Sequence, residues 1–175
     1  HCVHLAARTD LFGKSINDYY TNIQGVSNIC RYIKAKSISK CIFASTQLVN
    51  RIGYKPHDIN GFSPDTFYGW SKVIGEQVVF DNFIDTSIKW TILRPTTIWG
   101  PRFSSHYINF LSMLRKKIYI HPNNDDSFKS FGYVKNSVYI IYKLLTNNLL
   151  ASGNTFYLCD YNSIELYDWI DRLCK

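Results

Sequence analysis

Cys41-Ile42-Phe43-Ala44-Ser45 is an apolar run of strand length with no polar alternation, the pattern of a strand buried on both faces. What flanks it decides the fold. Upstream, Tyr20, Ile23, Val26, Ile29 and Ile33 recur three or four residues apart, which predicts a helix over 17–35. Before that helix, Val3-His4-Leu5-Ala6 reads as another strand. Downstream, a polar stretch with Gly and Pro runs from Asn50 to Pro64, a helix is expected from about Thr66 to Ile84, and Trp90-Thr91-Ile92-Leu93 is a third strand, stopped at Arg94-Pro95. Strand, helix, strand, helix, strand implies right-handed crossovers and an α/β fold with a doubly wound parallel sheet. After Gly100-Pro101-Arg102 the pattern is less regular. Helices are expected over 107–117, 136–147 and 164–173, with a short strand at Thr155-Phe156-Tyr157-Leu158.

The chain has 175 residues, 46% of them hydrophobic, enough for one domain or one with a small annex. No apolar stretch reaches the ~18 residues of a spanning helix and no secretory pattern opens the chain, so a cytoplasmic protein without a membrane partner is expected. The five cysteines are scattered with no Cys-x-x-Cys pair, which argues against a disulfide framework or a zinc site, and the histidines show no metal-ligand spacing. No metal is expected. A formal charge of +7 suits an anionic partner. The basic groups Lys34/Lys36/Lys40 and Arg115/Lys116/Lys117, however, fall where helices should end and complement the helix dipole, and no nucleic-acid-binding signature accompanies them. Nucleic acid is therefore not expected as a partner.

Ligands of such sheets bind beyond the carboxyl ends of the strands. Near that edge stands Tyr68-Gly69-Trp70-Ser71-Lys72, whose spacing of four puts the phenol and the ammonium on one helix face. A nearby ammonium favours the phenolate, so the pair can exchange a proton with an alcohol while hydride leaves the same carbon. Ser45 and Thr46, at the end of their strand, offer hydroxyls to orient that alcohol. The plainer readings are two exposed helix residues and a turn cap.

These segments resemble the extended short-chain dehydrogenase/reductases, the nucleotide-sugar epimerase and dehydratase group, and the resemblance runs along almost the whole chain. It is carried by His4-Leu5-Ala6-Ala7, Asn22-Ile23-Gln24-Gly25, Phe43-Ala44-Ser45-Thr46, Tyr68 with Lys72, Leu93-Arg94-Pro95 followed by Trp99-Gly100-Pro101-Arg102, and Phe131-Gly132-Tyr133-Val134, in that order. The resemblance implies a Rossmann-like fold binding NAD or NADP. It assigns Thr46 as hydroxyl donor, Tyr68 as acid/base, and Lys72 as the residue that lowers the phenol's pKa and contacts the nicotinamide ribose. Ala6, Ala7, Ser45 and Pro95 would border the cofactor. Thr46, Gln47, Arg102 and Lys129 would face the substrate, the last two its diphosphate. Asn22 would support its helix and a water chain.

Gln47-Leu48 stand where sugar-nucleotide 4,6-dehydratases carry Asp-Glu, which disfavours dehydration, and Lys129 replaces an Arg. His106 is a further candidate proton donor. The expected function is hydride transfer on a nucleotide-activated sugar, foremost as an epimerase. A sugar-nucleotide or carbonyl reductase is the alternative, and a non-catalytic nucleotide-binding module or inactive fragment the alternative of another class. A homodimer is expected of the full-length enzyme.

The nine glycines never form G-x-G-x-x-G, and the acidic residue that reads the adenosine ribose has no counterpart. The opening His-Cys-Val-His-Leu reads as the second half of a buried strand. The expectation is thus an N-terminally truncated fragment with a partial sheet lacking its first strands. Residues 1–102 would be the catalytic part of the NAD(P)-binding domain, and 103–175 part of a small C-terminal substrate-binding region, with 131–147 packing back on the first.

Overall fold

The computed structural model describes residues 1–101, 105–118, 128–147 and 153–174. In chain order they form β1 (Cys2–His4), a 3-10 turn (Ile16–Tyr19), α1 (Tyr20–Ala35), β2 (Lys40–Ala44), a second 3-10 turn (Gln47–Val49), α2 (Phe67–Phe83), β3 (Lys89–Pro95), β4 (Thr97–Trp99) and α3 (Ser105–Arg115). Then come β5 (Phe128–Lys129), β6 (Phe131–Tyr133), α4 (Val134–Thr146), β7 (Asn154–Leu158), β8 (Ile164–Glu165) and α5 (Leu166–Cys174).

Two compact units result, residues 1–95 with 139–158 and residues 96–138 with 159–175. In the first, β1, β2, β3 and β7 lie side by side in that order, all parallel, with Val3 opposite Ile42, Ile42 opposite Thr91 and Leu93 opposite Phe156. Alternate residues of the central strands explain the absence of polar alternation. Cys41, Phe43, Trp90 and Ile92 meet Val26, Cys30 and Ile33 of α1 and Val79 and Phe83 of α2, while Ile42 and Leu93, pointing the other way, are buried as well. Removing a ring such as Phe83 from this core would cost about 3–5 kcal/mol. The second unit holds two strand pairs, β4 with β6 in parallel and β5 with β8 antiparallel. There Trp169 stacks on Phe131, ring centroids 4.6 Å apart, and on Phe110 at 6.2 Å.

Local chemistry sets the element ends. The Asp18 carboxylate accepts the backbone N–H groups of Lys14 (2.8 Å) and Ser15 (3.1 Å), so the expected helix over 17–35 opens with a 3-10 turn before α1. α1 closes with Ser37 in the left-handed region (φ 50°) and the Ile38 N–H returning to Ile33 O, a Schellman-type stop. Thr66 caps α2 by accepting the Gly69 N–H at 3.0 Å. β1 ends at His4, two residues short of the expected Ala6, and Asn22 of α1 takes the chain beyond it by accepting the Arg8 N–H (2.7 Å) and donating to Arg8 O (2.9 Å). The short strands β4, β5, β6 and β8 were not anticipated, because two or three residues carry no period.

Candidate active site

All three strands singled out by sequence deliver their residues to the same edge of the sheet. Ala6, exposed, and Ala7, half-buried, follow β1, Ser45 and Thr46 follow β2, and Pro95 is the last residue of β3. α2 runs back from that edge, so its first turn presents Tyr68, and Lys72 one turn later. Tyr68, Lys72, Ser45 and Thr46 are all buried, Tyr68 at 7% and Lys72 at 6% exposure, which rules out the plain reading of two surface helix residues.

Close approach of α2 to the 46–49 turn is what joins Tyr68 to Thr46. At Gly69 a Cβ would stand 2.2 Å from Leu48 O, so only glycine fits there. Within the turn, Thr46 Oγ1 accepts the Leu48 N–H at 3.2 Å, and its hydroxyl lies near enough to the Tyr68 phenol to favour the ionised form. The Lys72 ammonium donates to Ala44 O at 2.9 Å and lies 6.0 Å from the Tyr68 ring centroid.

Burial pushes the Tyr68 phenol above its ordinary value of 10, and the neighbouring Thr46 hydroxyl offsets only part of this. Lys72 is itself desolvated, its pKa pushed down to about 8, and its ammonium donates to the strand-end carbonyl of Ala44. A phenolate at neutral pH therefore needs a further positive charge at this edge.

Three residues beyond the expected set complete the surroundings. Tyr19 is 1% exposed and packs against Tyr68 with ring centroids 6.0 Å apart; its hydroxyl donates to Asp10 O (2.8 Å) and accepts the Gly13 N–H (3.0 Å). Glu76 lies one turn beyond Lys72, and Arg94, given no role of its own by the sequence, is fully buried against it. The available signals were a carboxylate on the Tyr68–Lys72 helix face and an arginine continuing an apolar strand. Asn22, besides holding Arg8, donates to Ser71 Oγ at 3.2 Å, which ties the loop after β1 to α2.

Of the remaining candidates, Gln47 is half-buried in the turn after Thr46. Lys129 belongs to β5 in the second unit, opposite Ile164. Arg102 and the side chain of His106 lie outside the described residues. A concavity of ≈ 440 Å³ between α2 and the β3–β7 half of the sheet includes Glu76, Phe80, Trp90 and Thr155 but none of the Thr46, Tyr68, Lys72 set. Among the described residues no group of His, Cys, Asp or Glu is arranged to hold a metal, and no helix is long and apolar enough to cross a membrane.

The fold thus brings a threonine, a tyrosine and a lysine together at the strand ends of one parallel sheet. Residues 1–159 match the model of the NAD dependent epimerase/dehydratase family, and the chain belongs to that family. It is 27% identical over 157 residues to the N-acetyl-alpha-D-glucosaminyl-diphospho-ditrans,octacis-undecaprenol 4-epimerase of Escherichia coli O157:H7, covering 88% of this chain and 44% of that protein. To the 2-alkyl-3-oxoalkanoate reductase of Shewanella oneidensis it is 29% identical over 109 residues, 56% of this chain and 28% of that one. Among solved structures, the UDP-glucuronic acid 4-epimerase of Bacillus cereus, in complex with UDP-glucuronic acid and NAD, superposes with a TM-score of 0.80 at 21% identity, covering 98% of this chain and 58% of that one, a likeness of fold. The chain thus spans about half the length, or less, of the relatives it matches.

Proposed function

We propose that this chain carries the acid-base half of an NAD(P)-dependent epimerase acting on a nucleotide-activated sugar. The observation that supports it is the joining of Thr46, Tyr68 and Lys72, all buried, at one strand edge, with the Thr46 hydroxyl beside the phenol and the ammonium one helical turn behind. The residues fit a nicotinamide cofactor. Small Ala6 and Ala7 leave the strand edge open to close approach, and of the three N–H groups an ammonium carries, Lys72 donates one to Ala44 O, leaving donors for a ribose diol.

When bound, an oxidised nicotinamide supplies the hydride acceptor and the extra positive charge that the raised Tyr68 phenol requires. Thr46 Oγ1 holds the sugar hydroxyl against Tyr68. The Tyr68 oxygen would take the hydroxyl proton in the oxidising direction and give it back in the reducing one. Gln47 and Leu48, where a dehydratase has carboxylates, support epimerisation over elimination. Gln47, Arg102 and Lys129 are assigned to the substrate, the two cations to its diphosphate.

The same reading makes the full-length enzyme a cytoplasmic homodimer. Exposed Tyr20, Tyr32, Trp70 and Phe80 on α1 and α2 support the dimer, and the unpaired Cys2, Cys30, Cys41 and Cys159 a reducing compartment.

The test is turnover of UDP- and TDP-sugars by the full-length protein with NAD or NADP. Tyr68→Phe is expected to lose activity by about 10²–10⁴-fold, and unchanged turnover would sink the assignment. A carbonyl or sugar-nucleotide reductase is the second reading, favoured by the match to a reductase. Net NADPH consumption on a keto substrate would select it.

A further inference from the structure

Behind the Tyr68–Lys72 pair lies a second set of buried charges. Glu76 follows Lys72 on α2 by four residues, as Lys72 follows Tyr68, so the three share one helix face. The Glu76 carboxylate accepts Arg94 Nε at 2.9 Å and Nη2 at 2.7 Å, a two-point fork, and also accepts the Ser45 hydroxyl. Arg94 is fixed in turn. Its Nη2 donates to Ile59 O at 2.8 Å, its Nη1 to the Tyr157 hydroxyl at 3.4 Å, and the rings of Phe62 and Tyr157 lie 5.1 and 5.5 Å from the guanidinium carbon. Lys72 and Glu76 line the same small pocket of ≈ 10 Å³, together with Ala44 and Ser45. The titratable and charged groups around the lysine are His4 from β1, Tyr68 and Glu76 from α2, Arg94 from β3, and Tyr19 beyond Tyr68.

We propose that Glu76 is a positioning residue for the Tyr68–Lys72 pair, its carboxylate clamped by Arg94 and Ser45 so as to keep Lys72 an ammonium and to fix the strand end that carries Thr46. The proposal rests on the function given above to Lys72. Glu76 touches no reactant. Its effect runs through two contacts made at the same strand end, Ser45 to Glu76 and Lys72 to Ala44 O, on the two residues that precede Thr46. Desolvation drives Lys72 towards the neutral amine and brings its pKa to about 8, while attraction to Glu76 works the other way.

The two partners therefore have opposite effects on Lys72. Glu76→Gln leaves the Arg94 guanidinium uncompensated, so Lys72 gives up its proton more readily. Arg94→Gln leaves the carboxylate undivided, so Lys72 holds its proton longer.

The experiment is an NMR titration of the full-length protein with carbon-13 in the lysine side chains, the Lys72 signal being assigned by its loss in Lys72→Arg. It is read beside the pH dependence of kcat/KM. In Glu76→Gln the Lys72 midpoint is expected to fall by about one pH unit, roughly tenfold in proton affinity, and the basic limb of the rate profile to fall with it. In Arg94→Gln both rise, and in Glu76→Asp both stay near wild type. A folded Glu76→Gln with an unmoved Lys72 midpoint overturns the proposal, as do shifts of the same sign in the two variants. If Glu76→Gln fails to fold, Arg94→Gln decides alone, a rise supporting the proposal and no change overturning it. A shifted midpoint in a protein without turnover on any nucleotide sugar supports Glu76 as the counter-charge and sinks the function proposed for Lys72.

Discussion

Two glycines in neighbouring helices should respond to the same substitution with opposite signs. At Gly25, midway along α1, an added Cβ meets nothing within 4 Å. At Gly69, in the first turn of α2, it would stand 2.2 Å from Leu48 O, 3.0 Å from Pro64 Cβ and 3.1 Å from Thr66 Oγ1. Gly25→Ala therefore gains helix propensity alone, about 0.5–1 kcal/mol. Gly69→Ala forces helix and turn apart by roughly 1 Å to restore an ordinary contact near 3.5 Å. Such overpacking costs about 1–3 kcal/mol, which exceeds the propensity gain. For a chain of this size 1 kcal/mol corresponds to roughly 2–4 °C in Tm. Thermal unfolding at one scan rate should show Gly25→Ala higher by about 2 °C and Gly69→Ala lower by about 2–8 °C. The displaced turn carries Thr46, which accepts the Leu48 N–H, so turnover in Gly69→Ala should also fall, by about 10²-fold for a 1 Å misplacement. A Gly69→Ala protein as stable as Gly25→Ala, or one with undiminished turnover, would refute the close approach as the device that holds Thr46 to Tyr68.

Asn22→Ala removes the partner of both backbone groups of Arg8 and of Ser71 Oγ, so its urea midpoint should drop by an amount equivalent to about 1–3 kcal/mol; an unchanged midpoint would mean that the loop after β1 is held by other contacts. Burial pushes the thiols of Cys30 and Cys41 up to about 12, so neither is a thiolate at pH 8. Mass spectrometry after alkylation of the folded protein should find both unmodified, with labelling only in denaturant; labelling at equal rates in the two states would contradict their burial.

The residues that made the sheet legible are those whose surroundings depend on their own element alone. Cys41, Ile42 and Phe43 are apolar in succession because both faces of their strand are covered, and Val26, Ile29 and Ile33 keep helical spacing because one stripe of α1 meets that strand. Tyr68 and Lys72 were legible as a pair for the same reason, since a spacing of four is a property of one helix. Charge across elements was not legible. Arg94 ends an apolar run before a proline and reads as a stop, until α2 is laid over β3 and Glu76 meets its guanidinium. The protonation of Tyr68 also depended on burial. Spacing places an ammonium nearby, but how far the two groups are desolvated, and the carbonyl that claims the ammonium, come from the turn and strand around them.

The order of units along the chain bears on how this protein can vary. β7 takes its place beside β3 after an excursion from residue 96 to 153, and most of that excursion belongs to the other unit. Joining two strand ends already separated by about sixty residues costs chain entropy that grows only with the logarithm of the gap, about 0.6 kcal/mol for each doubling. The Leu93–Phe156 register of β3 and β7 is thus nearly indifferent to whether the excursion is lengthened or trimmed by ten residues. Insertions and deletions that remodel this segment can be sampled at little cost to the sheet, while the same changes between Ala44 and Tyr68 would pull apart the turn that holds Thr46.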